Sequence, residues 1–555
     1  MTIVKLIKKI FHRLFYSVIL ECLFLIGIWR PAVQSHALNA ELFIKINKKY
    51  WNNFPKGNKN ILIEGHFTES GPNYLFRVNL AAKALQSVFG GGQSFIVVNG
   101  HSYNWSLSRK VCNSFGNAKW IFLGRKFLLL TPLLLLLAGL RTLISFIQIR
   151  KPEQILNISF DGIKTGDLIY DQILRFSKTP TVNTINWKVF QVIAQSWYYY
   201  YQYNLLFSLR RYHYYISTHA MYAAYGLICR VALKKGVKVI ETSDIVTFLH
   251  ENMDENNLPT YHHSLNKIIK NTVSSENLNK KKLATREVRG AKNLQHRLES
   301  NIENIDALKA YSGKIYSKEK LCKTLNINVN DRIGFIAGHI FNDAPHNGKF
   351  LLFKDFYEWM EKTLEYCSMT KNINWIVKPH PASKLYEEEG VVEELVRSKK
   401  ASNIYICPSD LNTGSLRHCA DVILTVNGTI GLEYACLGIP SILSGFSCYS
   451  GFGFTHDPST AAEYCQMIQD SPNLPRLNNI QISKALQIYD IWNEFFDFDN
   501  YIITHNVLAN VWGSEGPINL KKAYDLMSKN LKNNDPKKLK LWKFVESLAE
   551  KDAKK

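Results

Sequence analysis

The sequence predicts an α/β protein of two Rossmann-like domains facing a cleft, with basic N-terminal helices and returning C-terminal helices. Three observations predict it. Short runs of aliphatic and β-branched residues alternate with longer helix-period segments. The alternation occurs twice, over 56–285 and over 331–475, with a lysine- and asparagine-rich stretch between. Several apolar runs are followed at once by polar loops carrying histidine, lysine or glycine, the position at which doubly wound sheets bind ligands.

Residues 1–55 read as a basic, partly amphipathic helical segment. The first domain, 56–285, opens with a strand at 61–64, a loop with Gly65 and His66, and a helix that Gly90, Gly91 and Gly92 terminate before the strand 94–98. An apolar helix at 127–147 serves as a crossover. A strand at 155–160 leads into Asp161, Gly162, Asp167 and Asp171. A tyrosine-rich stretch, 198–215, packs on this domain. The strand 214–217 then precedes His219, and the strand 237–240 closes the unit. Residues 253–285 read as an exposed insertion or lid, and 286–330 as linker helices. The second domain, 331–475, has strands at 333–337, 375–377, 404–406, 422–426 and 441–443. The lysine-rich tail 476–555 crosses back onto the first domain as helices.

The 555 residues are 46% hydrophobic and 12% aromatic, a folded composition. The net charge of +22 calls for an acidic partner, or reflects a generally basic surface. Nucleic acid is not expected, because the cations are dispersed and no finger, RNP-like or basic-zipper pattern occurs. The ten cysteines are scattered without a C-x-x-C pair, which disfavours a disulfide framework or structural zinc and favours a reducing compartment. Two apolar runs raise the question of a membrane. The run at 14–29 contains Glu21 and lacks a small-residue cleavage site. The run at 127–140 would span roughly 21 Å as a helix, short of a hydrocarbon core of ~30 Å. Its basic flanks suit a protein lying on the anionic inner leaflet; a buried core helix and a true span are the alternatives. The expected location is cytoplasmic, peripheral to the inner membrane.

The chemistry concentrates at the strand ends. Asn427-Gly428-Thr429 follows the strand 422–426 and opens a helix: Thr429 or Asn427 can cap it, and Gly428 lets a phosphate approach the backbone. Glu433, on the first turn, is placed to accept ribose hydroxyls, or simply complements the helix dipole. In Lys378-Pro379-His380-Pro381 two prolines fix the backbone around a histidine suited to donate to a phosphate, with Lys378 as charge partner. A rigid turn with a solvated histidine is the bland reading. His339, Asp343 and His346 share the loop after the first strand of the second domain. Their types resemble a metal set, but one carboxylate in a proline-containing loop favours donor binding or acid–base work, and no metal is expected. In the first domain Asp161, Asp167, Asp171 and His219 are candidates to activate an acceptor hydroxyl, although Asp167 could serve only as a helix cap.

These motifs resemble bacterial capsular and surface polysaccharide biosynthesis proteins of the GT-B type with a His-Pro motif. That group includes capsule Kdo transferases and bacterial sialyltransferases and, more distantly, CDP-glycerol glycerophosphotransferases. The resemblance is best over 333–456, through the Gly338–His346 loop, Lys378–Pro381, Asn427–Glu433 and the run from Tyr449 to Phe454. It implies that His380 and Asn427 to Thr429 contact the donor phosphate. The sialyltransferases' paired-acid motif is one acid short here, with only Asp161-Gly162, and the Kdo transferases' additional first-domain motif has no counterpart. The implied function is a glycosyltransferase moving a sugar from a nucleotide sugar to a surface polysaccharide such as capsule or lipopolysaccharide, on a glycan or lipid-linked glycan acceptor. No cofactor is implied beyond the donor itself. Polyol-phosphate transfer from a CDP-alcohol, and a non-catalytic nucleotide-sugar-binding role in an assembly complex, are the alternatives.

Overall fold

The computed structural model describes residues 40–554, apart from 52–58, 66–71, 91, 100–105, 117, 244–245, 254–257, 277–278, 300–309, 349 and 496–519, together with a few isolated positions before 40. Most of the segment 1–55, including most of the apolar run 14–29, and His66 lie outside the described residues.

The first sheet is built from β1 (Asn60–Glu64), β2 (Gln93–Val98) and β3 (Ala118–Phe122), while β4 (Ser159–Phe160) and β5 (Ile163–Lys164) form a separate hairpin. It continues with β6 (Tyr214–Ser217), β7 (Lys238–Thr242) and β8 (Thr247–His250). Its order is β3-β2-β1-β6-β7-β8, parallel except for the β7–β8 pair. The order reverses between β1 and β6, so the switch point lies beside Glu64 and Ser217. Glu64 is buried there, and its carboxylate accepts from the Thr218 amide and hydroxyl, each at 2.7 Å. Those bonds are what let an acid sit at a strand end away from water.

Successive side chains of each strand enter different cores. Leu62, Phe95, Val97, Tyr215 and Val239 face the helices Gly166–Ser177, Trp187–Leu209 and Leu227–Lys234. Ile61, Ile63, Ile96, Val98 and Ile216 face Pro72–Val88 and Ser106–Asn113. The second core is completed from the far end of the chain by Leu520–Asn533 and Lys540–Ala553, with Trp542 stacked on Trp51 of the helix Glu41–Trp51. The tail therefore returns to the first domain.

The second sheet comprises β9 (Arg332–Ala337), β10 (Ile373–Lys378), β11 (Ile404–Ile406), β12 (Val422–Thr425) and β13 (Ser441–Leu443), all parallel in the order β11-β10-β9-β12-β13. Its switch point falls between β9 and β12. The helix Phe356–Met369 covers one face, capped by the Asp355 side chain, which accepts from the Glu358 amide at 2.9 Å.

Three local expectations differ. Residues 155–160 are not a sheet strand. A 3₁₀ helix, Pro152–Asn157, leads into the β4–β5 hairpin, turned by Asp161 (φ 47°) and Gly162 (φ 79°). An Asp-Gly pair with both φ positive is the type I′ hairpin turn, and here it overrides the strand pattern. Residues 253–285 are not an exposed lid, because Tyr261–Glu276 buries Leu265 and Ile269 against the helix Asn479–Phe495 of the second domain. Lys280–Leu298, read as linker, packs on the same helix, and its buried Arg286 pairs with Glu276, Asp490 and Glu494. Finally, the apolar helix Thr131–Gln148 is no crossover under the sheet. It lies outside Trp187–Leu209 as an extra layer, burying only Thr131, Leu134, Ala138 and Thr142.

Candidate functional site

The carboxyl ends of β9, β10 and β12 converge on a cavity of about 390 Å³, contiguous with a smaller one of about 220 Å³. His339, His380 and Asn427 line both. Lys378, Gly428, Thr429 and Glu433 line the larger, and Asp343 the smaller. The structure thus gathers every second-domain residue that the sequence singled out, except His346.

Backbone contacts fix the two central histidines. The Ala382 amide donates to His380 Nδ1 at 3.2 Å, so the neutral ring carries its proton on Nε2. The Val426 amide donates to His339 Nε2 at 3.2 Å, which assigns the His339 proton to Nδ1. Burial, and then the neighbouring His380 and His262, push the His339 pKa down to about 3, so it stays neutral.

The Asn427–Thr429 turn is held from behind. The Ser447 hydroxyl donates to the Asn427 carbonyl at 3.2 Å, and Tyr449 donates to the Gly428 carbonyl. This gives Tyr449, at the head of the run 449–454, a role, since it anchors the turn through a carbonyl oxygen. A Cβ on Gly428 would meet Thr425 Oγ1 at 2.9 Å, so the tight approach requires glycine. Thr429 precedes the short helix Ile430–Ala435, but its side chain makes no capping bond.

Two predicted contacts are already engaged. Lys378 donates to the Leu411 carbonyl and to Thr413 Oγ1, both at 2.8 Å, and burial lowers its pKa. Glu433 accepts from the Tyr311 hydroxyl at 2.6 Å and lies 2.6 Å from Arg297 Nε. It lines the cavity as half of a buried ion pair, so part of its carboxylate is already engaged. Trp492, Tyr261 and Tyr311 add aromatic side chains to the lining.

His262, Arg297, Tyr311 and Trp492 were not anticipated. The sequence signals were slight: a His-His pair after Pro259-Thr260-Tyr261, and one arginine among many cations. Asn347 holds His262 in place, its side-chain oxygen and carbonyl accepting from the Tyr261 and His262 amides at 3.0 and 3.4 Å. Burial lowers the His262 pKa to about 4. Glu388 was also missed. It accepts from the Phe341 and Asn342 amides at 2.8 and 2.7 Å and so fixes the loop bearing Asp343.

The first-domain candidates go elsewhere. Asp161 sits in the hairpin turn and accepts from Tyr200 at 2.8 Å. Asp167 receives a bidentate pair from Arg230, both bonds at 2.7 Å. Burial opposes its charge, yet Arg230 draws its pKa down to about 2. Asp171 meets His346 Nδ1 at 2.6 Å, while His346 Nε2 lies 2.9 Å from the Lys354 carbonyl. With both ring nitrogens donating, His346 is held as imidazolium. Burial works against that charge, but Asp171 outweighs it and raises the pKa. Around this pair Tyr170 and Thr181 donate to the buried Asp355 at 2.7 and 2.5 Å, and Arg175 donates to Asn342 at 3.3 Å. The helix Gly166–Ser177 therefore clasps the first domain to the second; Asp171 serves that clasp, Asp167 ties the helix to Arg230 within the first domain, and neither lines a cavity. His219 lies at the first switch point, half-buried between Tyr74 and Tyr225.

Of the carboxylates considered as a base, Asp343 alone lines a cavity. Tyr222, from the first domain, donates to it at 2.8 Å, and Tyr386 donates at 3.1 Å. Tyr222 holds the left-handed conformation (φ 55°), which is strained for a bulky residue. No group of three or more His, Cys, Asp or Glu among the described residues is arranged to hold a metal ion.

Two Rossmann-like domains with a polar cavity at the second switch point define a GT-B architecture. Residues 322–489, which include His339, Lys378, His380 and the glycine turn, match the capsule polysaccharide biosynthesis protein family. The match covers the second domain and not the first. No curated protein matches the chain. Among solved structures it is similar to a glycosyltransferase from Rickettsia africae, at 12% identity over 86% of this chain and 100% of that one, with a TM-score of 0.27. A UDP-GlcNAc 2-epimerase from Neisseria meningitidis bound to UDP-GlcNAc shares 12% identity over 86% and 100%, with a TM-score of 0.24. HepE from Anabaena in complex with UDP and glucose shares 10% over 86% and 100%, also at 0.24. Likenesses this distant say nothing of this chain's substrate.

Proposed function

We propose that the protein transfers a sugar from a nucleotide-activated donor to a growing surface polysaccharide, with the donor in the larger cavity. The observation that carries this is the cavity's mixed lining. It combines His380, with its proton on Nε2, and the Asn427–Thr429 turn with the aromatic side chains of Trp492, Tyr261 and Tyr311. A diphosphate suits the first set and a base the second. Departure of the nucleoside diphosphate builds charge on the leaving phosphate, and fixed donors stabilise it most in a site that excludes water. Lys378 supplies positive potential from behind while bonded to the 411–413 loop.

Asp343 is the group placed to take the acceptor's proton. It lines the cleft where the two domains meet, and Tyr222 and Tyr386 fix its orientation. A glycan or lipid-linked glycan would approach from the first domain.

The test is donor binding by thermal shift across a panel of nucleotide sugars, followed by transfer. His380→Ala removes one hydrogen bond to a charged phosphate, so affinity should fall about 10- to 100-fold. Unchanged binding by that variant would overturn the placement of the donor. Turnover of a CDP-alcohol but of no nucleotide sugar would reassign the chemistry to phosphoryl transfer. Binding without turnover of either would leave only the non-catalytic role.

A further inference from the structure

We propose that the outer face of the helical run Leu128–Gln148 docks flat on an anionic phospholipid surface. The run is 21 residues long and apolar enough to cross a membrane. Its exposed face carries Leu129, Leu133, Leu136, Leu140, Ile144 and Ile147, which are 51–95% exposed and spaced three or four apart. They form one continuous apolar stripe. Thr131, Leu134, Ala138 and Thr142 lie on the opposite face and are buried. A soluble helix normally turns such a stripe inward. Here the inward side is the narrower and more polar one.

The packing decides between lying on a bilayer and crossing it. The inner face rests on Trp187–Leu209, whose Val189, Ile193 and Trp197 continue into the core of the first domain. A span would carry that domain into hydrocarbon. A helix in the plane of the interface needs no rearrangement.

Charge selects the surface. The chain has no acidic residue between Glu69 and Glu153. Exposed Arg125 and Lys126 precede the stripe, and exposed Arg150 and Lys151 follow it. Trp187 stacks on Phe190, which contacts Phe146, so an indole stands at the second end with exposed Lys188 beside it. Cations and an interfacial aromatic around an apolar strip match anionic headgroups over acyl chains. They disfavour a second copy of the same face, since like charges would meet. The run begins directly after the carboxyl end of β3, so its first turns lie at the cleft end of the first domain. Only the purpose of docking, delivery of a lipid-linked acceptor, rests on the proposed transfer reaction.

The experiment is flotation of the full-length protein with phosphatidylcholine vesicles, with and without ~30 mol% phosphatidylglycerol, at low and high salt. The wild type should float with the anionic vesicles at least about tenfold more than with the neutral ones, and less at high salt. Leu136→Glu/Leu140→Glu/Ile144→Glu should lose about tenfold or more of that binding with an unchanged melting temperature, because all three side chains are exposed. Arg150→Glu/Lys151→Glu should lose part of it. Full binding by the triple variant overturns the proposal. So does a wild type that ignores anionic vesicles, and if it also sediments as a dimer that the triple variant dissociates, the face is an interface between copies. Donor-induced thermal shift of the triple variant separates this outcome from failure of the donor site.

Discussion

Asp167→Asn separates a catalytic carboxylate from a structural one. Asp167 receives two charged hydrogen bonds at 2.7 Å from Arg230, and the two side chains are 8% and 1% exposed. Removing one partner of such a buried pair destabilises by about 3–5 kcal/mol. The titration gives an independent figure. A carboxyl drawn from 3.8 to about 2 on folding contributes on the order of 2–3 kcal/mol at neutral pH. Because the folded pKa is depressed, that contribution is complete above pH 3.8 and is lost as the pH falls towards 2. Urea unfolding of the full-length protein at pH 7 should show the loss for Asp167→Asn, and its stability should vary less between pH 4 and 2. Asp167→Leu/Arg230→Met, which removes both charges, should recover part of it. The carboxylate lines neither cavity, so kcat of the folded variant should stay within about threefold of wild type. An unchanged unfolding midpoint with kcat lowered about a thousandfold would refute the structural assignment and restore Asp167 as the base.

Further predictions concern the clasp, the hairpin and the cleft. The His346–Asp171 pair raises the imidazole pKa above 6.5, so its contribution is complete below that value and lost as pH rises through the folded pKa. Hydrogen exchange in 166–177 should quicken with pH beyond its intrinsic rise, and His346→Gln should abolish that excess. Gly162→Ala, at φ 79°, should destabilise by about 1 kcal/mol in thermal melts, whereas Asp161→Asn should leave transfer kinetics unchanged. Tyr222→Phe removes one bond to Asp343, and should shift the pH profile of kcat while leaving donor affinity alone.

The second domain was the legible half. A buried parallel strand has nothing to show but apolar residues, so a polar Pro-His-Pro or Asn-Gly-Thr immediately after one stands out. All of those residues came together at one cavity. The first domain misled because its aspartates also follow an apolar run, 155–160, yet the Asp161-Gly162 turn sends that run into a hairpin. Asp167 and Asp171 sit four residues apart on one helix, as expected. What they meet, Arg230 and His346, lies about 60 and 175 residues away, and no local pattern records such partners. Arg297 and Trp492 escaped for the same reason, being carried to the cavity by helices that read as linker and tail.

The returning helices set an order on synthesis. The second domain has all its strands once residue 443 has emerged, and its packed helix ends at Phe495. The first domain, though made first, still lacks Tyr524, Met527, Trp542 and Val545, which occupy one of its two cores. The half that begins the chain therefore finishes last. Until residues 540–553 arrive, the outer side of the helix Pro72–Val88 stands open to chaperones or to neighbouring chains.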